Sequence, residues 1–123
     1  MDIYREIILD HYNNPRYFGL DHNRSDAVVT RGFSPSCGDD LQVQVVVREG
    51  KISFYRFEGE SCAIARACAS MLGDVIDEKL VSKVLAMRGD AVADMLGFSL
   101  PPARLSCGML ALDAVQRGLA KVE

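Results

Sequence analysis

The chain has 123 residues, 49% hydrophobic and 25% charged, the profile of one globular domain able to bury a core without disulfide staples. Its formal net charge of -3, with Lys and Arg scattered along the chain, argues against nucleic acid as a main partner. No apolar run is long enough to span a bilayer, and the acid-bearing start Met1-Asp2-Ile3-Tyr4-Arg5-Glu6 is not a secretory signal, so the expected location is the cytoplasm.

Asp2 to Tyr12 places Ile3, Ile7 and His11, and Tyr4, Ile8 and Tyr12, at helical spacing. Asn13-Asn14-Pro15 ends that helix, because the residue before proline avoids helical geometry. A loop follows through Gly19 and Asp26. Ala27 to Arg31 is a short β-branched run. Leu41, Val43 and Val45 then alternate with Gln42 and Gln44, the period of a strand with one covered face. Glu49-Gly50 marks a turn, and Lys51 to Glu58 returns as a third strand. Strands joined this closely pair antiparallel. The second half reads as helical. Ala63 to Ile76 carries one apolar stripe of Ile64, Cys68, Met71, Leu72 and Val75. Leu80 to Leu85 and Asp90 to Leu96 are shorter helices, and Pro101-Pro102 opens a last one running to about Lys121. The expectation is α+β: a small three-stranded antiparallel sheet with helices packed on one side, built from an N-terminal helix, the strands and a helical C-terminal half.

Four cysteines need a reason in a reducing compartment, where they serve as metal ligands, nucleophiles or small buried hydrophobes rather than disulfides. Cys37 sits in the loop sequence Ser34-Pro35-Ser36-Cys37-Gly38-Asp39, where Gly38 lets backbone approach a ligand and Cys37 and Asp39 can point to one side. A thiolate and a carboxylate there suit a metal; a turn with a solvated Asp39 and an incidental cysteine fits as well. Cys62 follows Glu58-Gly59-Glu60-Ser61 where strand gives way to helix, a position that favours a thiolate but also suits any small cap residue. Cys107 lies in the first turns of the last helix, three residues from Arg104, in an accessible setting. Cys68 falls on the apolar stripe, about 240° around the helix from Cys62, and is assigned to the core. His11 on its helix stripe reads as a packing residue and His22 as solvated.

These segments together resemble the IscU/NifU/SufU family of iron–sulfur scaffold proteins along nearly the whole chain, 1–123, as a single scaffold domain. YREIILDHYNNPRYFG (Tyr4 to Gly19) is similar to the family's N-terminal helix and Asn-Pro-Arg loop. SPSCGDDLQVQVVV (Ser34 to Val47), FEGESCAIARACASMLGDVI (Phe57 to Ile76) and LPPARLSCGMLALDAV (Leu100 to Val115) resemble its three ligand segments. The resemblance implies a site of Cys37, Asp39, Cys62 and Cys107 at one exposed end of the fold. It implies sulfur accepted from a cysteine desulfurase, with Cys107 as the acceptor, iron, and a transient [2Fe–2S] cluster passed to apo iron–sulfur proteins. A zinc-bound, SufU-type sulfur acceptor is the alternative use of the same residues. Ser106 stands where IscU-type proteins usually have histidine and SufU-type proteins lysine, and the SufU-type insertion between the second and third cysteines is missing. Leu100 to Arg104 resembles the peptide read by a heat-shock chaperone, departing from it at Ala103 and Arg104.

Overall fold

The computed structural model describes residues 3–34 and 38–122. The elements are α1 (Ile3–Asn13), β1 (Val28–Ser34), β2 (Asp39–Arg48), β3 (Lys51–Glu60), α2 (Ala63–Ile76), α3 (Val81–Leu85), α4 (Gly89–Leu96) and α5 (Pro102–Val122). The strands form one antiparallel sheet in the order β1-β2-β3, the expected α+β arrangement.

The strands run further than their composition suggests. β1 continues past Arg31 because Gly32, Phe33 and Ser34 pair with Leu41, Asp40 and Asp39. Gly32 and Ser34 have little strand preference of their own, and the ladder supplies the order. β2 accordingly starts at Asp39, and β3 continues through Gly59 and Glu60, opposite Leu41 and Asp40.

One face of the sheet is covered as the alternation requires. Leu41, Val43 and Val45 of β2 and Ile52, Tyr55 and Phe57 of β3 are buried with Met71 and Leu72 of α2 and Leu112, Val115 and Leu119 of α5. The other face is not simply open, which corrects the expectation. Gln44 is fully buried there, because its amide exchanges two hydrogen bonds of 2.8 Å with the backbone of Asp21. The loop that bears Asp21 also lays Arg24 over the Phe54 ring at 4.3 Å. α2 likewise buries more than one stripe. Ala65, Ala67, Cys68, Ala69, Ser70, Met71, Leu72, Gly73 and Ile76 are all buried, since the helix touches α1, α4, α5 and β3 at once. The small residues among them, Ala65, Ala67, Cys68, Ala69, Ser70 and Gly73, let four neighbours approach one helix.

Residues 17–19 add a short third layer of pairing beside β3. The Phe57 N–H donates to the Tyr17 carbonyl at 2.9 Å, and the Gly19 N–H donates to the Phe57 carbonyl at 2.7 Å. Tyr17 holds a left-handed backbone (φ +66°) with its ring flat against Gly73, where any Cβ would overlap it. Its hydroxyl donates to Asp74 at 2.5 Å, and that bond to a carboxylate pushes the phenol up to about 12. His11 is the packing residue expected. Its Nδ1 lies 2.7 Å from Ser70 Oγ, which already accepts from the Arg16 N–H, so the serine proton is directed at the ring. Partial burial lowers the pKa of that ring. His22 is exposed, as expected.

Candidate metal centre

Three elements meet at one end of the sheet. The β1–β2 connection closes with the Gly38 N–H donating to the Ser34 carbonyl at 2.8 Å. Asp39 and Asp40 follow, and strand alternation sends them to opposite faces. Asp40 turns outward into a bidentate pair with Arg31 at 2.7 and 2.6 Å. Asp39 turns towards the helices and is 3% exposed. That rules out a solvated Asp39 and explains why it, and not its neighbour, belongs to the site.

Cys62 arrives from β3. Gly59 adopts φ +133° beside β2, where a Cβ would overlap the Asp40 carbonyl oxygen and come 3.0 Å from Leu41 Cα. Only glycine lets the end of β3 lie this close. The chain then opens α2 with Cys62 as N-cap, its Sγ accepting from the Ala65 N–H at 3.5 Å. The Cys62 N–H donates to Asp39 Oδ1 at 2.7 Å, a short bond to a carboxylate that fixes strand start against helix start. Asp39 Oδ2 is buried and has no hydrogen-bond partner among the described residues.

Cys107 comes from α5. One donor atom each from Asp39, Cys62 and Cys107 lies within 4.8 Å of the others. A buried carboxylate oxygen with no partner is costly unless a cation or donor meets it. Beside it stand two sulfurs, ligands that suit zinc and iron. These three residues fit a divalent metal. Cys37, the remaining expected donor, lies outside the described residues.

Two expectations about access are corrected. Cys107 was expected in an accessible helix-start setting and is 0% exposed. It shares a helix face with Leu110, Ala111 and Ala114, and that face packs on the sheet. The site was also expected to gather its donors at an exposed end. Asp39 and Cys107 are buried, and Cys62 is the partly exposed member of the described three. Ser106 and the stretch from Pro101 to Arg104 are exposed, while Leu100 is half-buried.

Cys68 is core, as expected: it is 1% exposed, and its thiol is pushed up to about 12, by burial first and by Cys62 second. It nonetheless stands close behind the site, since its Sγ would lie 3.6 Å from a Cβ at Gly108, next to Cys107. Sequence reasoning passed over Gly59, although a glycine between two glutamates at a strand end was the available signal. It also passed over Ser61, whose buried hydroxyl has no partner among the described residues.

A family model described as the NifU-like N-terminal domain matches residues 3–123. The chain belongs to this family. Within the NifU-like family, it is 32% identical to a protein named zinc-dependent sulfurtransferase SufU from Bacillus subtilis, over 98% of this chain and 92% of that one. It is 34% identical to iron–sulfur cluster assembly scaffold protein IscU 1 from Archaeoglobus fulgidus, over 95% of this chain and 74% of that one. Among solved structures, a candidate iron–sulfur cluster assembly scaffold for the SUF system from Fervidobacterium islandicum superposes with a TM-score of 0.76 at 25% identity, covering 93% of this chain and 94% of that one. Among the described residues, no helix is long and apolar enough to cross a membrane.

Proposed function

We propose that this chain is an iron–sulfur cluster assembly scaffold. It accepts sulfur from a cysteine desulfurase, takes iron and, with two electrons per sulfur from an external electron donor to reduce persulfide sulfur to sulfide, builds a [2Fe–2S] cluster as cargo on Cys37, Asp39, Cys62 and Cys107, and passes it to apo-proteins in the cytoplasm. The observation that carries this reading is the convergence of Asp39, Cys62 and Cys107 within 4.8 Å around a buried carboxylate oxygen with no partner. Thiolates are the usual holders of such cargo. A carboxylate is a harder, more weakly held ligand for it, so Asp39 makes one corner labile, which a protein that must release its cargo needs. The IscU-named relative supports the same reading.

Sulfur reaches such a site as a persulfide. The Cys107 thiolate attacks the outer sulfur of the desulfurase persulfide; a new S–S bond forms on Cys107 as the old one breaks, and the desulfurase cysteine leaves as thiolate. Burial of Cys107 sets a condition on this step: the first turns of α5 must part from the sheet before a partner reaches its sulfur. The exposed Pro101 to Arg104 stretch opens the first of those turns and is the place where a heat-shock chaperone would grip.

A second reading is favoured by the SufU-named relative and by the closed character of the donors: a zinc-bound sulfur acceptor working with a desulfurase. Anaerobic reconstitution with iron and sulfide separates the two. The scaffold reading expects a brown protein with iron and sulfide in equal amounts, and with the colour lost in Cys62→Ala and Cys107→Ala. Stoichiometric zinc that iron does not displace, together with desulfurase-dependent persulfide on Cys107, would replace it by the second reading. Protein that takes up neither metal nor sulfur would overturn both.

A further inference from the structure

We infer that Arg66 is a positioning residue for the site of Asp39, Cys62 and Cys107, acting through the first turn of α2. This rests on the reading above, that the site holds a metal or a metal cluster. Arg66 lies four residues after Cys62, and its N–H donates to the Cys62 carbonyl at 3.0 Å, a helical bond reaching back to the cap. Its side chain leaves the helix sideways. Nε donates to the Tyr12 carbonyl at 3.0 Å, one of the last carbonyls of α1, which the helix itself leaves without a partner. The guanidinium lies 4.6 Å from the centre of the Phe18 ring and 5.5 Å from that of Tyr12. Phe18 in turn meets Phe57 of β3 edge-on, at 5.4 Å and 86°. One side chain therefore ties α1, the 17–19 segment and, through Phe57, the sheet to the turn that Cys62 caps.

Helix physics alone gives no reason for this cation. A positive charge near a helix N-terminus opposes the helix dipole, and the first turn of α2 has no acidic residue to offset it. The gain lies in where the turn is held. Cys62 Sγ has one long bond, from the Ala65 N–H, so the direction of the thiol follows the backbone of the turn. The Asp39 bond fixes the N–H side of Cys62, and the Arg66 side chain, anchored on the Tyr12 carbonyl and the Phe18 ring, fixes where the first turn of α2 stands. A divalent metal needs its donors placed to a few tenths of an ångström. Groups that orient a ligand from behind it commonly govern affinity as strongly as this.

Cobalt(II) is the probe, because its bonds to thiolate absorb in the near ultraviolet and its visible bands report geometry. Wild type, Arg66→Ala, Arg66→Lys and Phe18→Leu are titrated anaerobically, and the metal-free proteins are melted in parallel. Arg66→Ala is expected to weaken cobalt binding about tenfold and to change the visible band shape. Arg66→Lys recovers little, since an ammonium cannot stack on two rings while donating to a carbonyl. Phe18→Leu, which keeps the arginine and removes one ring, gives an intermediate loss; this milder variant decides the matter if Arg66→Ala does not fold. Unchanged affinity and spectrum in the folded variants, even with a lower melting temperature, would make Arg66 merely structural and overturn the inference alone. A wild-type chain that binds no cobalt would overturn the reading of the site along with it.

Discussion

Asp39→Asn separates the two jobs of the buried carboxylate. Asparagine keeps an oxygen where Oδ1 accepts from the Cys62 N–H at 2.7 Å. The bond loses its charge, at a cost of about 1 kcal/mol in the metal-free protein. Against that, the substitution removes a buried carboxylate oxygen with no partner among the described residues, a relief of roughly 1 kcal/mol, since the new amide N–H group is itself poorly served there. The metal-free stabilities of wild type and variant should then agree within about 1 kcal/mol. The loaded proteins should not agree. With free zinc at about 1,000 times its dissociation constant, binding stabilises the fold by about 4 kcal/mol. Loss of the anionic donor weakens binding at least tenfold, which leaves about 2.7 kcal/mol at the same zinc concentration. Urea unfolding with and without zinc reads both quantities. Equal zinc stabilisation in the two proteins would remove Asp39 from the donor set. A metal-free variant weaker by about 3 kcal/mol would make the carboxylate a piece of the scaffold first.

Other positions give shorter tests. Gly59→Ala, which drives a methyl into the Asp40 carbonyl, should cost about 1–3 kcal/mol in urea unfolding and weaken metal binding with it; an unmoved midpoint would refute the close approach. Cys68→Ala should lower stability by about 1 kcal/mol and leave zinc stoichiometry intact; lost zinc would place this sulfur among the donors. Thiol alkylation of metal-free protein, read by peptide mass spectrometry, should modify Cys62 before Cys107, with Cys68 last; fast labelling of Cys107 would contradict its burial. The partly buried His11 ring predicts a pH effect. Its folded pKa lies below the usual 6.5, so the unfolded chain takes up the proton more readily. The contribution is whole above pH 6.5 and declines as pH falls below it. His11→Gln should flatten that decline in thermal melts across the range, and an identical slope would refute the assignment.

Much of this arrangement could be read from the residues because local pattern and tertiary demand agreed. The alternation of Leu41, Val43 and Val45 placed β2, and the stripe through Cys68, Met71 and Leu72 placed α2 and put Cys68 inside. Where a partner segment decided the outcome, local pattern was silent. Gly32-Phe33-Ser34 became strand only through pairing with Asp39 to Leu41. Gln44 was drawn inside by a loop twenty-three residues earlier, and no property of the strand announces that. The burial of Cys107 was legible in principle, since Leu110, Ala111 and Ala114 follow it at helical spacing, but its place near a helix start was read as access. The set of Asp39, Cys62 and Cys107 followed from resemblance; periodicity could not have brought those stretches together, because the close approach at Gly59 joins the first two and the packing of α5 on the sheet brings in the third.

In the proposed site a strand start, a helix cap and the hidden flank of a distant helix each supply one donor, so no fragment of the chain would form the chelate. Load and conformation are then two faces of one equilibrium. A recipient that pries the final helix away from the hairpin would loosen the grip on the metal without offering a stronger ligand of its own. Under the proposed function, the distribution of donors over the fold favours delivery by leverage in place of competition.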